Sequence, residues 1–73
     1  MELKIYTLDG TKFEGQVSQV SLPTSDGEIT VLPEHIPLIT ILKKGTVKTD
    51  KENIEIEGGV AEIDGEKVVV LAN

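Results

Sequence analysis

The sequence predicts an all-β domain, a small flattened β-sandwich or barrel of about 8–10 short strands with little or no helix. Three observations support this prediction. Apolar and polar residues alternate along most segments, turn residues such as Asp-Gly and Lys-Gly separate these segments, and no window of helical length carries apolar residues at a 3.6-residue spacing.

The first strands follow from alternation and one change of phase. The segment "LKIYTL" alternates as a half-buried strand does, and Asp9-Gly10 marks the turn after it. In "KFEGQVSQVSL" the apolar residues up to Val17 have one phase and those from Val20 have the other. We expect one strand with a β-bulge near Ser18-Gln19, since no turn residue interrupts the run. The alternative is two strands with a corner between them.

The middle of the chain contains a loop and an unusual strand. "PTSDG" is a loop by composition, and "EITVL" is a short strand that Pro33 ends. "IPLITIL" is apolar at almost every position. Residues 36–42 are therefore expected to be either a strand buried on both faces under the chain's own loops, or a strand whose outer face a partner covers.

The last third of the chain predicts a hairpin. After the turn at Lys44-Gly45 and the polar strand "TVKTD", the segment "NIEIEGGVAEI" alternates and changes phase across Gly58-Gly59. No phosphate-loop pattern surrounds these two glycines, so we expect a bulge or a close backbone approach there. Asp64-Gly65 joins "AEI" to "EKV" as a hairpin turn. The structural turn positions are Gly15, Gly45, Gly58, Gly59, Asp64 and Gly65.

Composition limits the classes of function. The 73 residues make one domain, which contains no Cys for a disulfide and has 23 Val, Ile and Leu residues to form its core. A domain of this size is expected to have modest stability, and a permanent partner would increase it. The net charge of −6, with seven Lys and no Arg, argues against nucleic-acid binding. We find neither a secretory signal nor an apolar run of about 20 residues, so we expect a chain kept in the cytosol or an equivalent compartment without direct membrane insertion.

The residues that catalysis needs are scarce. His35 is the only His and there is no Cys, so one chain cannot build a two-His or thiolate metal site. Ser25, Asp26 and His35 can be drawn as a triad, but only geometry identifies one. Asp26 and Glu28 are a weak calcium signal that an acidic turn explains better. We expect no catalytic, metal-binding or cofactor-binding residue, and composition alone predicts a small soluble acidic binding module.

Two blocks carry a resemblance to a known family. They are "FEGQVSQVSLPTSDGEITVLPEHIPLITILKKGTVK", residues 13–48, and "IEGGVAEIDGEKVVVLAN" at the end. Together they resemble the N-terminal β-sandwich domain of the F-type ATP synthase epsilon subunit, which is the delta subunit in mitochondria, over residues 1–73. The matching positions are Phe13, Gly15, Val17, Gly27, Glu28, Pro33, His35, Pro37, Leu38, Gly45, Gly58, Gly59, Val70, Leu71 and Ala72.

The chain departs from the family in three ways. Glu34 replaces the usual Gly, and a positive φ there would be strained for Glu. Asn73 replaces the usual acidic residue. The family's C-terminal helical hairpin, which carries ATPase inhibition and in some bacteria ATP binding, is absent from the 73 residues, so neither role transfers. A naturally short form and a fragment cut at the domain boundary both fit.

The resemblance implies a non-catalytic rotor subunit in the central stalk of the proton-translocating ATP synthase. Such a domain binds the gamma subunit and the c-ring, contacts the catalytic head indirectly and couples proton flow to ATP synthesis. It would lie at the cytoplasmic face of the inner membrane, or at the chloroplast or mitochondrial equivalent. By position, the implied c-ring contacts are Asp26, Gly27 and Glu28, and the implied gamma contacts are His35, Ile36, Pro37, Leu38 and Thr40.

Two other classes of function stay open on the residues alone. A free-standing β-sandwich that binds a carbohydrate or a peptide would present exposed aromatic residues in a cleft, and this chain has one Phe, one Tyr and no Trp. A minor enzyme would need catalytic groups that the chain lacks.

Overall fold

The computed structural model describes residues 1–73, except for the side chain of His35, and it consists of nine strands joined by short turns. The described chain contains no helix. The strands are β1 (Glu2–Thr7), β2 (Gly10–Gln16), β3 (Val20–Thr24), β4 (Gly27–Val31), β5 (His35–Leu42), β6 (Gly45–Thr49), β7 (Asn53–Ile56), β8 (Gly59–Gly65) and β9 (Lys67–Ala72). The predicted all-β fold is confirmed.

The strands form two layers. One layer has the order β2-β1-β9-β8-β5, and the other has the order β4-β3-β6-β7. A single residue pair, Thr24 with Leu42, joins β3 to β5 and so connects the layers. The paired strands are antiparallel except for β1 and β9, which run parallel and bring the two ends of the chain together in one layer. The arrangement is a flattened sandwich.

The core lies between the two layers, where the inward-facing residues of each strand meet. In β1, Leu3 and Ile5 are fully buried and alternate with half-buried residues, and β3 supplies Val20 from the other layer. Complete burial of a Val, Leu or Ile stabilises the fold by about 1.5–3 kcal/mol. The buried apolar cluster is Leu3, Ile5, Val17, Val20, Leu22, Val31, Leu42, Val47, Ile56, Ala61, Ile63, Val68, Val70 and Ala72.

The predicted β-bulge near Ser18-Gln19 is wrong, and the alternative of two strands with a corner is correct. β2 ends at Gln16 and β3 begins at Val20, and the two strands belong to different layers. At the corner the Ser18 N–H donates to Asp50 Oδ1 at 2.9 Å, outside any strand ladder. The change of apolar phase in the sequence therefore marks the passage from one layer to the other.

Two of the expected glycine positions are explained by close backbone approach. Gly58 and Gly59 have φ values of 140° and 145°. A Cβ on Gly59 would overlap the carbonyl oxygen of Leu71 and would lie 2.8 Å from the Cα of Ala72. The double glycine therefore lets β8 run directly against β9, as one of the two sequence interpretations proposed.

The predictions for the remaining turn positions have different outcomes. Asp64 lies opposite Lys67 in the β8–β9 ladder and Gly65 has φ 63°, so the hairpin prediction is confirmed. Gly45 opens β6, where a Cβ would lie 2.8 Å from Cβ of Pro23. Gly15 lies inside β2, so the turn expected there is wrong.

Candidate functional site

The outer face of the five-stranded layer carries exposed apolar side chains in its centre. Ile39 and Ile41 of β5 are 69% and 65% exposed, and Val60 of β8 and Leu71 of β9 are 40% and 58% exposed. Ile41 lies opposite Val60, and Val60 lies opposite Leu71. Directly opposite residues have Cβ atoms about 4.5–5.5 Å apart, so these side chains form one continuous patch. We call Ile39, Ile41, Val60 and Leu71 the outer apolar face.

The outer face of the other layer is polar and gives a direct contrast. Ser21 and Thr30 lie opposite each other there, with their hydroxyl oxygens 3.1 Å apart. Lys48 of β6 lies 3.3 Å from a carboxylate oxygen of Glu28 on β4, and both side chains are about half exposed. An isolated sandwich is expected to have polar residues on both outer faces, so the outer apolar face is the exception that needs an explanation.

The residues implied as gamma contacts are only partly on this face. Ile36 is 76% exposed and Leu38 is 39% exposed, while Pro37 is also exposed. Thr40 is half-buried and lies opposite the fully buried Ala61, so it is on the inward-facing side of β5. The side chain of His35 lies outside the described part of the structure. The strand is not buried under its own loops, since its apolar residues from 36 to 41 are exposed.

Sequence reasoning missed the members of the outer apolar face. The signal for two of them was present in the alternation of β8 and β9, because Val60 and Leu71 are out of phase with the buried Ala61 and Val70. In the structure the two-residue turn is Gly65-Glu66, and this turn pairs Val60 with Leu71. Ile39 and Ile41 are the outward-facing members of a strand in which both faces are apolar. Their direction depends on pairing with β8, which the sequence of β5 alone does not show.

The residues implied as c-ring contacts form a tight turn between β3 and β4. The hydroxyl of Thr24, which is 2% exposed, donates to the carbonyl oxygen of Gly27 at 2.5 Å and accepts from the N–H of Asp26 at 3.2 Å. The N–H of Ser25 donates to the carbonyl oxygen of Ile41 at 3.3 Å. The turn is therefore held at the end of β5 that carries the outer apolar face, with Glu28 exposed at the start of β4.

The segment between β4 and β5 contains a strained residue. Glu34 has φ 67°, the one positive value among the non-glycine residues that the structure describes. Its N–H donates to the carbonyl oxygen of Gly65 at 3.2 Å, which ties this segment to the β8–β9 turn. The positive φ considered for this position in the sequence is therefore present, and a Gly would adopt it without the steric cost that Glu bears.

Other kinds of site find no support in the described residues. They contain no group of three or more His, Asp or Glu that could hold a metal ion, and no helix long and apolar enough to cross a membrane. Tyr6 and Phe13, the two aromatic residues, are half-buried. The geometry defines a small all-β domain with an exposed apolar face beside an acidic turn.

The comparisons with known proteins identify the family. The whole chain, residues 1–73, matches the family described as "ATP synthase, Delta/Epsilon chain, beta-sandwich domain", and the chain belongs to that family. It is 42% identical over 78 residues to the ATP synthase epsilon chain of Campylobacter curvus and 40% identical over 76 residues to that of Sulfurimonas denitrificans. The family assignment agrees with the prediction of an accessory subunit that is not itself an enzyme.

The matches also show how much of each relative is represented. The alignment with the Campylobacter curvus protein includes 100% of this chain and 60% of that epsilon chain. The alignment with the Sulfurimonas denitrificans protein includes 97% of this chain and 58% of that epsilon chain. Its fold is similar to a chain in the cryo-EM structure of the Tetrahymena thermophila mitochondrial ATP synthase central stalk and c-ring, with a TM-score of 0.80, 14% sequence identity and coverage of 99% of this chain and 62% of that one.

Proposed function

We propose that this chain is a non-catalytic rotor subunit in the central stalk of an F-type ATP synthase, where it binds the gamma subunit and the c-ring and couples proton flow to ATP synthesis. The family assignment supports the complex, and the similar fold in a structure of a central stalk and c-ring supports the position. The complex would hold the chain at the cytoplasmic face of the inner membrane, or at the chloroplast or mitochondrial equivalent, as a peripheral subunit.

The outer apolar face is the observation that carries this proposal. Complete burial of an Ile contributes about 1.5–3 kcal/mol relative to exposure, and Ile39 and Ile41 still have about two thirds of their surface exposed. Covering these two side chains would therefore contribute about 2–4 kcal/mol, before Val60 and Leu71 are counted. We assign this face, together with the implied contacts His35, Ile36, Pro37 and Leu38, to the gamma subunit; Thr40 faces inward and would support the strand from behind.

The turn at Asp26, Gly27 and Glu28 is assigned to the c-ring. Its backbone is fixed by the Thr24 hydroxyl and by the bond from Ser25 to Ile41, so the Glu28 carboxylate projects from a rigid support. Charge placement of this kind mainly fixes register and specificity. Ser25 in the turn is hydrogen-bonded to Ile41 of β5. The turn and β5 together would therefore transmit torque between the c-ring contact and the gamma contact.

Asp substitutions on the outer apolar face test the gamma assignment. Ile41→Asp places a charge where a partner would exclude water, and we expect at least about a hundredfold weaker binding to the gamma subunit. Thr30→Asp is the matched control, since it adds the same charge to the polar outer face of the other layer. Circular dichroism should show that both variants fold. Equal gamma binding by Ile41→Asp and Thr30→Asp would contradict the assignment.

Charge reversal at Glu28 tests the ring contact. Glu28→Lys is expected to lower ATP-driven proton pumping by the reassembled complex while leaving ATP hydrolysis by the detached head unchanged. The change also breaks the ion pair with Lys48, so Lys48→Ala is the control that breaks the same pair without reversing the charge at position 28. Normal pumping by Glu28→Lys, or an equal loss in Lys48→Ala, would remove Glu28 from the coupling role.

A further inference from the structure

Glu62 is a carboxylate set among the side chains of the outer apolar face. It lies on β8 two residues from Val60, so both side chains are on the same side of the strand. Its direct neighbours across the ladders are Ile39 on β5 and Val69 on β9. Glu62 is exposed, while the residues on either side of it in the chain are buried in the core. A partner that covers the outer apolar face therefore covers Glu62 as well.

Nearby cations in the described part of the chain do not pair with this carboxylate. The ion pairs within 4.0 Å join Lys4 to Glu14, Lys44 to Glu57 and Lys48 to Glu28, and none involves Glu62. Lys4 is in the same cross-strand row, but Val69 lies between it and Glu62. Lys67 lies opposite Asp64, the next outward-facing residue of β8. In the free domain water solvates the Glu62 carboxylate.

Burial changes the free energy of such a group. A carboxylate that loses its water costs several kcal/mol unless a cation and hydrogen bonds replace that water. We propose that the partner that docks on the outer apolar face brings a Lys or Arg side chain against Glu62, an inference that rests on the proposed binding of gamma through this face. The recognition element on gamma is then a basic residue flanked by apolar ones.

A surface groove provides room for that side chain. It has a volume of about 420 Å³ and is lined by Pro37, Leu38, Ile39, Glu62, Ile63 and Asp64. A water molecule occupies roughly 30 Å³ in the liquid, so the groove can admit a long side chain. Its lining is apolar on the β5 side and acidic on the β8 side, which suits the apolar stem and charged head of Lys or Arg.

Two substitutions at Glu62 test the inference. They distinguish a carboxylate that pairs with a cation of the partner in the complex from one that has no such cation. The assay is surface plasmon resonance of the chain against purified gamma subunit in complex with the catalytic head, at about 50 mM and about 300 mM salt. Glu62→Gln keeps the shape, and we expect at least about tenfold weaker binding with a smaller salt dependence. Glu62→Leu removes the polar group, and it should also bind at least about tenfold more weakly because the partner's cation is left unpaired.

The outcome that overturns the inference is unchanged or tighter binding by either variant. A Leu that improves binding would mean that the native carboxylate is covered without a cation, or remains in water at the rim. Glu55→Gln, on the polar outer face of the other layer, is the matched control and should bind as the native chain does. If Ile41→Asp abolishes binding while Glu62→Gln does not affect it, only this inference fails. If Ile41→Asp also has no effect, the proposed function fails.

Discussion

Replacing Gly59 with Ala tests the close approach of β8 to β9. Gly59 has φ 145°, and a Cβ there would overlap the carbonyl oxygen of Leu71 and approach the Leu71 carbonyl carbon to 3.1 Å and the Ala72 Cα to 2.8 Å. These are backbone atoms of the ladder in which Gly59 lies opposite Ala72. They cannot move aside as the end of a flexible side chain would, so the two strands would have to separate.

The expected cost has two parts. A φ of 145° is sparsely populated by residues with a Cβ and costs them about 1–3 kcal/mol, and overpacking adds about 1–3 kcal/mol. The smaller entropy of the unfolded chain returns about 0.4–1 kcal/mol. The net loss is about 1–6 kcal/mol, against a total of about 4–11 kcal/mol expected for 73 residues. Gly59→Ala should therefore remove a large share of the free energy of unfolding.

Urea denaturation followed by circular dichroism measures this loss, and Gly10→Ala is the matched control. Gly10 also has a positive φ, 115°, but a Cβ there would have no atom within 4 Å. Its substitution should cost only the backbone part, about 1–3 kcal/mol before the entropy gain. The difference between the two variants isolates the overlap with β9. A difference below about 0.5 kcal/mol, the usual scatter of surface substitutions, would refute the reasoning.

Three further predictions concern stability. Glu34→Gly should raise the free energy of unfolding by up to about 1 kcal/mol, since relief of the positive φ of 67° outweighs the added entropy of the unfolded chain; a lower urea midpoint would contradict this. The hydrogen bond from the Ser18 N–H holds the pKa of Asp50 below its ordinary value of 3.8, so the Asp50 carboxylate contributes to the stability of the fold above pH 4, and this contribution is lost as the pH falls further. Asp50→Asn should therefore make the free energy of unfolding less dependent on pH in that range, and an unchanged acid profile would exclude the effect. Thr24→Ala should cost about 1–3 kcal/mol, because it removes a buried hydroxyl and leaves the Gly27 carbonyl and the Asp26 N–H without that partner. The cost should exceed that of Thr7→Ala, which breaks the corresponding bonds in an exposed turn; equal losses would show that burial is irrelevant there.

The alternation of apolar and polar residues and the turn residues were enough to predict the strands that have one apolar face. The alternation of β1 places Leu3 and Ile5 in the core, and the β8–β9 hairpin forms at the predicted Asp64-Gly65 position, with Asp64 opposite Lys67. Both predictions depend only on residues close together in the chain. They succeed because a strand that is buried on one side must alternate, and because a two-strand turn needs particular residues.

The other features depend on contacts between distant segments. The phase change between Val17 and Val20 was interpreted as a bulge, but both residues are buried because the chain crosses from one layer to the other. For β5, an apolar strand gives no sign of which side faces inward. Pairing with β8 decides that Ile39 and Ile41 point outward, and this pairing joins residues about 20 positions apart.

The position of the outer apolar face determines how the domain can associate. Val60 and Leu71 lie in β8 and β9, strands that are paired on both sides, so no strand can be added there. β5 has one ladder pair with β3, at Leu42, and backbone hydrogen bonds from Ser25 to Ile41 and from Lys43 to Pro23 lie beside it. Earlier in β5, Pro37 has no N–H to donate, and the register shifts between His35 and Leu38. The edge strands β2, β4 and β7 each carry charged residues, which disfavour edge-to-edge pairing. A partner must therefore bind by side-chain packing on the face, and the identity of those side chains, with Glu62 among them, decides which partner fits.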